Sequence, residues 1–169
     1  MSREGYTVFL DTAPIIYFVE RHRKYHPYLL PFFMTVDMGR AGIVTTPVAL
    51  AECLVHPYRD NNPELAQQFI NAIVNGHNTS FILPDREIAC KAAQLRAKYN
   101  LELSDALQVA TCITARCALF LTNDKNLKRV QEIEVLTMGD IVESDPDYAE
   151  HPLRRGLAFW FRLNYGRNE

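Results

Sequence analysis

The chain reads as an α/β protein: a three-layer α/β/α fold around a mostly parallel five-stranded sheet of order 3-2-1-4-5, the first strand at its centre. Two observations lead there. Short apolar, β-branched runs alternate along the chain with longer segments whose apolar residues recur at helical spacing. The first of those runs, within YTVFLDT at residues 6 to 12, is apolar at every position from Val8 to Leu10, as expected of a strand buried on both faces. Strands separated by helices connect through right-handed crossovers, so parallel pairing follows.

Taken in order, Asp11 closes the first strand and a helix-forming run extends from about Ala13 to Arg23. A second helical stretch, PYLLPFFMTVDMGR, is closed by Gly39 and Gly42, and its PYLLPFFM portion suits a core or a dimer surface better than a ligand site. Gly42 to Thr45 forms the next strand, with Thr46 as helix N-cap and Pro47 at the first position of VALAECLVHPYR. Residues Asn62 to Asn75 repeat apolar positions at helical spacing and stop at Gly76. A strand from Ser80 to Leu83 leads through Pro84 into the helix DREIACKAAQLRAKYN. Ser104 is expected to cap DALQVATCITARC, which runs into a strand from Ala118 to Thr122. A short helix after Asp124 and a strand from Ile133 to Thr137 complete the pattern.

Composition bounds what such a chain can be. At 169 residues and 48% hydrophobic it can bury one core without disulfides or structural metals. No apolar run is long enough for a membrane span, and the opening MSREGYTVFLD lacks the apolar core of a signal peptide, so a cytoplasmic protein with no membrane association is expected. Cys53, Cys90, Cys112 and Cys117 lie in apolar segments without CxxC spacing, which favours reduced core thiols over zinc ligands or disulfides.

Charge is unevenly spread. The net is −2, but four arginines and one acid between His151 and Glu169 give that stretch +3, leaving −5 on residues 1 to 150. An acidic body does not hold phosphate by its own charge, and bound divalent cations would reverse the sign locally. A compositional shift near Ser144 separates a domain of residues 1–142 from an extension of residues 143–169. That extension interleaves Arg154, Arg155, Arg162 and Arg167 with Phe159, Trp160, Phe161 and Tyr165. Such a tail either stacks bases and touches phosphates, or packs Leu157 and Trp160 onto the body or a second subunit.

Four carboxylates stand out by context. Asp11 and Asp124 each follow an apolar strand, in FLD and FLTND, which places both at the carboxyl edge of the sheet, where open α/β folds keep their ligand crevices. Glu52 has Val48, Ala49 and Val55 as neighbours about one turn away, so it is expected on an apolar face, where a charge needs a partner. Asp105 opens a helix whose remainder, ALQVATCITA, is small and apolar. Singly, each has a plain structural explanation: a helix cap for Asp11 and Asp124, the helix dipole for Asp105, a surface position for Glu52. Two strand-end acids together with two acids on apolar helices are harder to assign to capping alone.

The strings FLDTAPIIYF, TTPVALAECLVHP, LELSDALQVATCITA and ALFLTNDKNLKRV, in that order across roughly residues 6 to 137, resemble the PIN-domain family of metal-dependent ribonucleases, especially the toxins of bacterial and archaeal toxin–antitoxin pairs. The resemblance implies an acidic quartet at Asp11, Glu52, Asp105 and Asp124 that is both catalytic and metal-ligating, with Thr122 as the hydroxyl accompanying the last acid. It implies Mg²⁺ or Mn²⁺, hard cations that prefer carboxylate and water, as cofactor. It further implies an RNA substrate cut to 5′-phosphate and 3′-hydroxyl ends, a homodimer and an inhibitory antitoxin partner. The extension has no counterpart in the short family pattern. A haloacid-dehalogenase-type phosphatase also begins with strand-Asp, but needs a second Asp where this chain has Ala13. A PIN-like scaffold that binds RNA or protein without cutting is the remaining alternative.

Overall fold

The computed structural model describes residues 6–144; the basic and aromatic tail lies outside them. Five strands, β1 (Tyr6–Leu10), β2 (Ala41–Thr45), β3 (Thr79–Phe81), β4 (Leu119–Thr122) and β5 (Val135–Thr137), form one sheet in the order β3-β2-β1-β4-β5, every neighbouring pair parallel. The expected order and the central first strand are therefore found. Among the described residues no helix is long and apolar enough to cross a membrane.

The apolar run of β1 divides between two cores because successive side chains point to opposite faces. Val8 and Leu10 join one core, with Ile43, Leu119, Leu121 and Leu136, beneath α1 (Thr12–Val19), α2 (His26–Asp37), α3 (Pro47–Arg59), α4 (Pro63–Ile73) and α7 (Met138–Ser144). Phe9 joins the other, with Val44 and Phe120, beneath α5 (Arg86–Tyr99) and α6 (Leu103–Thr114). Phe9 and Phe120 are partners in register across β1 and β4, and their rings stack at 4.8 Å. The result is the three-layer arrangement, both faces of the sheet dry.

Several elements differ from their expected bounds. The first helix ends at Val19 rather than Arg23, because the chain turns through Arg21 at φ +54°. α6 begins at Leu103, with Glu102 at its N-cap, so Ser104 lies inside the first turn instead of capping it. The helix after Asp124 is a short 3₁₀ turn, Lys125–Arg129. α7 was not expected at all. Thr137 and Asp140 hold its start reciprocally: the Thr137 amide donates to Asp140 Oδ2 at 2.8 Å and the Asp140 amide to Thr137 Oγ1 at 3.3 Å. The helix of residues 62–75 stops at Ile73, and the turn beyond it needs Gly76: a Cβ there would lie 2.6 Å from the Ala72 carbonyl oxygen and 2.7 Å from Thr79 Oγ1.

Of the cysteines, Cys53 and Cys112 are buried and Cys117 half-buried, but Cys90 is exposed on α5, which corrects the expectation of a core thiol there. Burial holds Cys53 neutral, its thiol pushed up to about 12. In α2, Tyr28, Leu29, Phe32 and Val36 enter the core while Leu30 and Met34 stay exposed.

Candidate active site

Asp11 is the pivot of the carboxyl edge. Its amide continues the ladder to the Leu121 carbonyl at 3.0 Å, and its side chain caps α1 by accepting from the Thr12 amide at 2.7 Å. Two further donors reach the same carboxylate: Thr122 Oγ1 to Oδ2 at 2.6 Å and Gln108 Nε2 to Oδ1 at 3.2 Å. Burial pushes the Asp11 carboxyl above its ordinary value, against those three donors, and the charge of Asp124 adds to the rise.

Thr122 ends β4, fully buried, and its hydroxyl also accepts from the Asp124 amide at 2.9 Å. One hydroxyl thus ties the strand-end acids of two adjacent strands together. Asp124 caps the 3₁₀ turn through Oδ1, which accepts from the Asn126 amide at 2.8 Å. Capping and convergence are therefore not alternatives, because a cap at a strand's carboxyl end already faces the crevice.

Glu52 and Asp105 come from helices on opposite layers. Glu52 is exposed, not set into an apolar face as expected: α3 buries Ala49, Cys53 and Pro57, and Glu52 sits beside that stripe at the rim, accepting a 2.5 Å hydrogen bond from Thr12 Oγ1. Val55, part of the expected apolar neighbourhood, is itself 52% exposed. Asp105 is half-buried in the first turn of α6, its carboxyl pushed up to about 6 by burial and then by the charges of Asp11, Asp124, Glu52 and Glu102.

The four acids line one open cleft of about 470 Å³, with Thr12, Ala13, Ile16, Thr122 and Asn123. Among the described residues no three carboxylate, imidazole or thiol groups are drawn into a ready-made ligand cage. The lining is nevertheless an acidic donor set with neither His nor Cys, and burial, with the neighbouring negative charges adding to it, raises the carboxyls of Asp11 and Asp105. Such a set fits a hard divalent cation.

Gln108 escaped the sequence reading, as did the bond from Thr12 to Glu52. Gln108 lies three residues after Asp105, so both face the cleft side of α6. Its Nε2 serves Asp11 while its Oε1 is buried with no hydrogen-bond partner. The signal was available: a lone amide in an otherwise small and apolar helix.

A parallel sheet wrapped in helices on both faces, with acids gathered where the two central strands end, defines an α/β/α protein with an acidic carboxyl-edge cleft. The chain belongs to the PIN domain family, whose profile matches residues 8–133. Solved structures of similar fold include VapBC2 from Rickettsia felis bound to a DNA fragment from their promoter (TM-score 0.61, 14% identity, covering 78% of this chain and 98% of that one). DNA-bound VapBC from Salmonella typhimurium has TM-score 0.60 and 16% identity, covering 79% and 98%. A toxin–antitoxin complex from Klebsiella pneumoniae has TM-score 0.55 and 18% identity, covering 78% and 97%. No curated protein matches the sequence significantly.

Proposed function

We propose that this protein is a metal-dependent ribonuclease of the toxin type, hydrolysing phosphodiester bonds of RNA at the cleft formed by Asp11, Glu52, Asp105 and Asp124. The observation that supports it most is that these acids, two just beyond the ends of β1 and β4 and two from α3 and α6, line one cleft whose described lining contains no Lys, Arg or His. Asp11, Glu52, Asp105 and Asp124 would hold Mg²⁺ or Mn²⁺. When bound, such an ion lowers the pKa of a water and neutralises charge on the scissile phosphate and leaving oxygen.

The chain's own residues set the stage for that chemistry. Gln108, Thr122 and the Thr12 amide fix the Asp11 carboxylate in one orientation, and the Thr122 hydroxyl keeps Asp124 in step with it. Thr12 holds Glu52 toward the same rim. Asp105, half-buried in the first turn of α6 and lining the cleft, would help to hold the cation and to orient a water there. The acidic lining repels bare phosphate, so seating the scissile phosphate among the four acids would depend on the cation.

One solved neighbour is a toxin–antitoxin complex and two are DNA-bound VapBC assemblies, which supports an antitoxin partner; a homodimer and a cytoplasmic location are part of the same proposal. The test is cleavage of a mixed RNA pool with Mg²⁺ or Mn²⁺, with chelator as control. Asp11→Asn, Glu52→Gln, Asp105→Asn and Asp124→Asn keep size nearly constant, and each should lower cleavage by about 10²-fold or more with the fold intact. Pairs of these changes should add little beyond the worse single one. Cleavage that survives chelator overturns the proposal, and binding without cleavage by any form assigns the chain to the non-cutting scaffold class.

A further inference from the structure

Helix α1 carries the cleft lining away from the acids. Thr12, Ala13 and Ile16 line the cleft, and Tyr17, one turn beyond Ala13, accepts a 3.0 Å hydrogen bond from Asn123 Nδ2, another lining residue. Tyr17 belongs to a compact cluster of three rings: it lies 4.7 Å from His22 and 4.7 Å from Tyr25, which are themselves 4.9 Å apart. Around these rings the turn reads Arg21-His22-Arg23-Lys24, all four exposed, on a body whose first 150 residues are net acidic. Lys24 Nζ lies 5.2 Å from the Tyr25 ring centroid, and Glu20 is the single acid beside the run.

The turn is built rather than loose. Arg21 adopts φ +54°, the His22 amide donates to the Tyr17 carbonyl at 2.9 Å, and the His26 amide donates to the His22 carbonyl at 2.9 Å. His22 Nδ1 accepts from the amides of Lys24 and Tyr25 at 3.3 and 3.4 Å, which orients its ring against the tyrosines. Tyr17 and Tyr25 pack against the core on one side and remain half-buried. Core packing does not require a run of exposed cations around such rings.

We propose that the α1–α2 turn is a landing platform for unpaired RNA entering the acidic cleft, bases stacking on the Tyr17–His22–Tyr25 cluster and phosphates meeting Arg21, Arg23 and Lys24. It rests on the ribonuclease function proposed above. Aromatic faces interleaved with cations hold single strands without regard to sequence, whereas a duplex hides its base faces. The platform answers the problem posed by the cleft: attraction for the strand comes from beside the acids, not from them.

The test separates binding from cutting. A short fluorescein-labelled single-stranded RNA of mixed sequence is titrated with the full chain in chelator, and anisotropy is followed over a range of salt. The exposed double change Arg23→Glu with Lys24→Glu should weaken binding by about tenfold or more at low salt and reduce the slope of log affinity against log salt by roughly one to two. His22→Ala, at an exposed ring, should weaken it by about fivefold or more, and an RNA duplex of the same length should compete at least about tenfold less well than the single strand. Melting temperatures close to wild type show that the variants fold. Affinities within about twofold of wild type with an unchanged salt slope overturn the platform even if the RNA is cut. Equal competition by duplex overturns it too, as does loss of self-association on gel filtration with RNA affinity unchanged, which assigns the patch to a protein contact. Platform-dependent binding with no cleavage in Mn²⁺ leaves the platform standing and defeats the nuclease function alone.

Discussion

Thr122 Oγ1 donates to Asp11 Oδ2 at 2.6 Å, and the same hydroxyl oxygen accepts the amide of Asp124. A buried hydroxyl with both roles filled cannot be replaced by a methyl group without stranding two partners. Thr122→Val should therefore destabilise the protein by about 1–3 kcal/mol and reduce RNA cleavage, while Thr122→Ser, which keeps the hydroxyl, should recover most of both. Thermal melting and single-turnover cleavage read the two effects separately. Equal losses in the Val and Ser variants would show that the methyl packing, not the hydroxyl, matters.

Burial of Asp105, and then the acids crowded around it, makes stability without metal depend on pH. The Asp105 carboxyl rises from 3.8 to about 6 on folding. A raised acid binds its proton more tightly in the folded state, so its contribution is fully present below pH 3.8 and lost as pH rises through about 6. In chelator the wild type should lose melting temperature across that window from this group, and Asp105→Asn should lose less. A profile identical in wild type and Asp105→Asn would contradict a raised Asp105 carboxyl.

The same repulsion should make divalent cations stabilising. At about 100 times its dissociation constant, Mn²⁺ should contribute on the order of 2.7 kcal/mol, seen as a rise in melting temperature. Asp11→Asn should abolish that response. Its own effect in chelator divides between relief of repulsion and the donors of Thr12, Gln108 and Thr122, which an amide accepts less well. A full Mn²⁺ response in Asp11→Asn would place the ion elsewhere.

Gln108→Leu removes a buried carbonyl that has no partner together with a donor to Asp11. The two effects oppose, so stability should change by less than about 1.5 kcal/mol. Cleavage should fall and its pH profile move upward, because the Asp11 carboxyl loses one of the bonds that hold it down. A fall in rate with no movement of the profile would assign Gln108 to packing only.

Gly76→Ala tests the turn into β3. The added Cβ meets a backbone carbonyl and a threonine hydroxyl well inside contact distance, so a loss of about 1–3 kcal/mol is expected, read by urea unfolding.

Family membership and fold came through in the sequence because they rest on local signals. The Val8–Leu10 run, the Thr46-Pro47 cap and the spacing of strand-end acids each depend on residues close together in the chain, and they sufficed for a central first strand and for the strand-end positions of Asp11 and Asp124, while the full strand order leaned also on the family resemblance. The capping pair Thr137 and Asp140 was equally local, and α7 could have been read from it.

Other features were decided only when helices from distant parts of the chain docked on the sheet. Glu52 looked like a buried charge because periodicity tells which residues share a side of a helix but not which side meets the sheet; packing of Ala49, Cys53 and Pro57 against the core turned Glu52 to the rim. Gln108 became a donor to Asp11 across 97 positions, and Thr122 across 111, contacts that no local pattern encodes. The sequence by itself determined which residue types stand at the strand ends, through the alternation that builds a parallel sheet. The tertiary structure alone decided how their carboxylates are hydrogen-bonded, how deeply Asp11 is buried and why its carboxyl is raised, because burial and charge proximity are properties of the assembled layers.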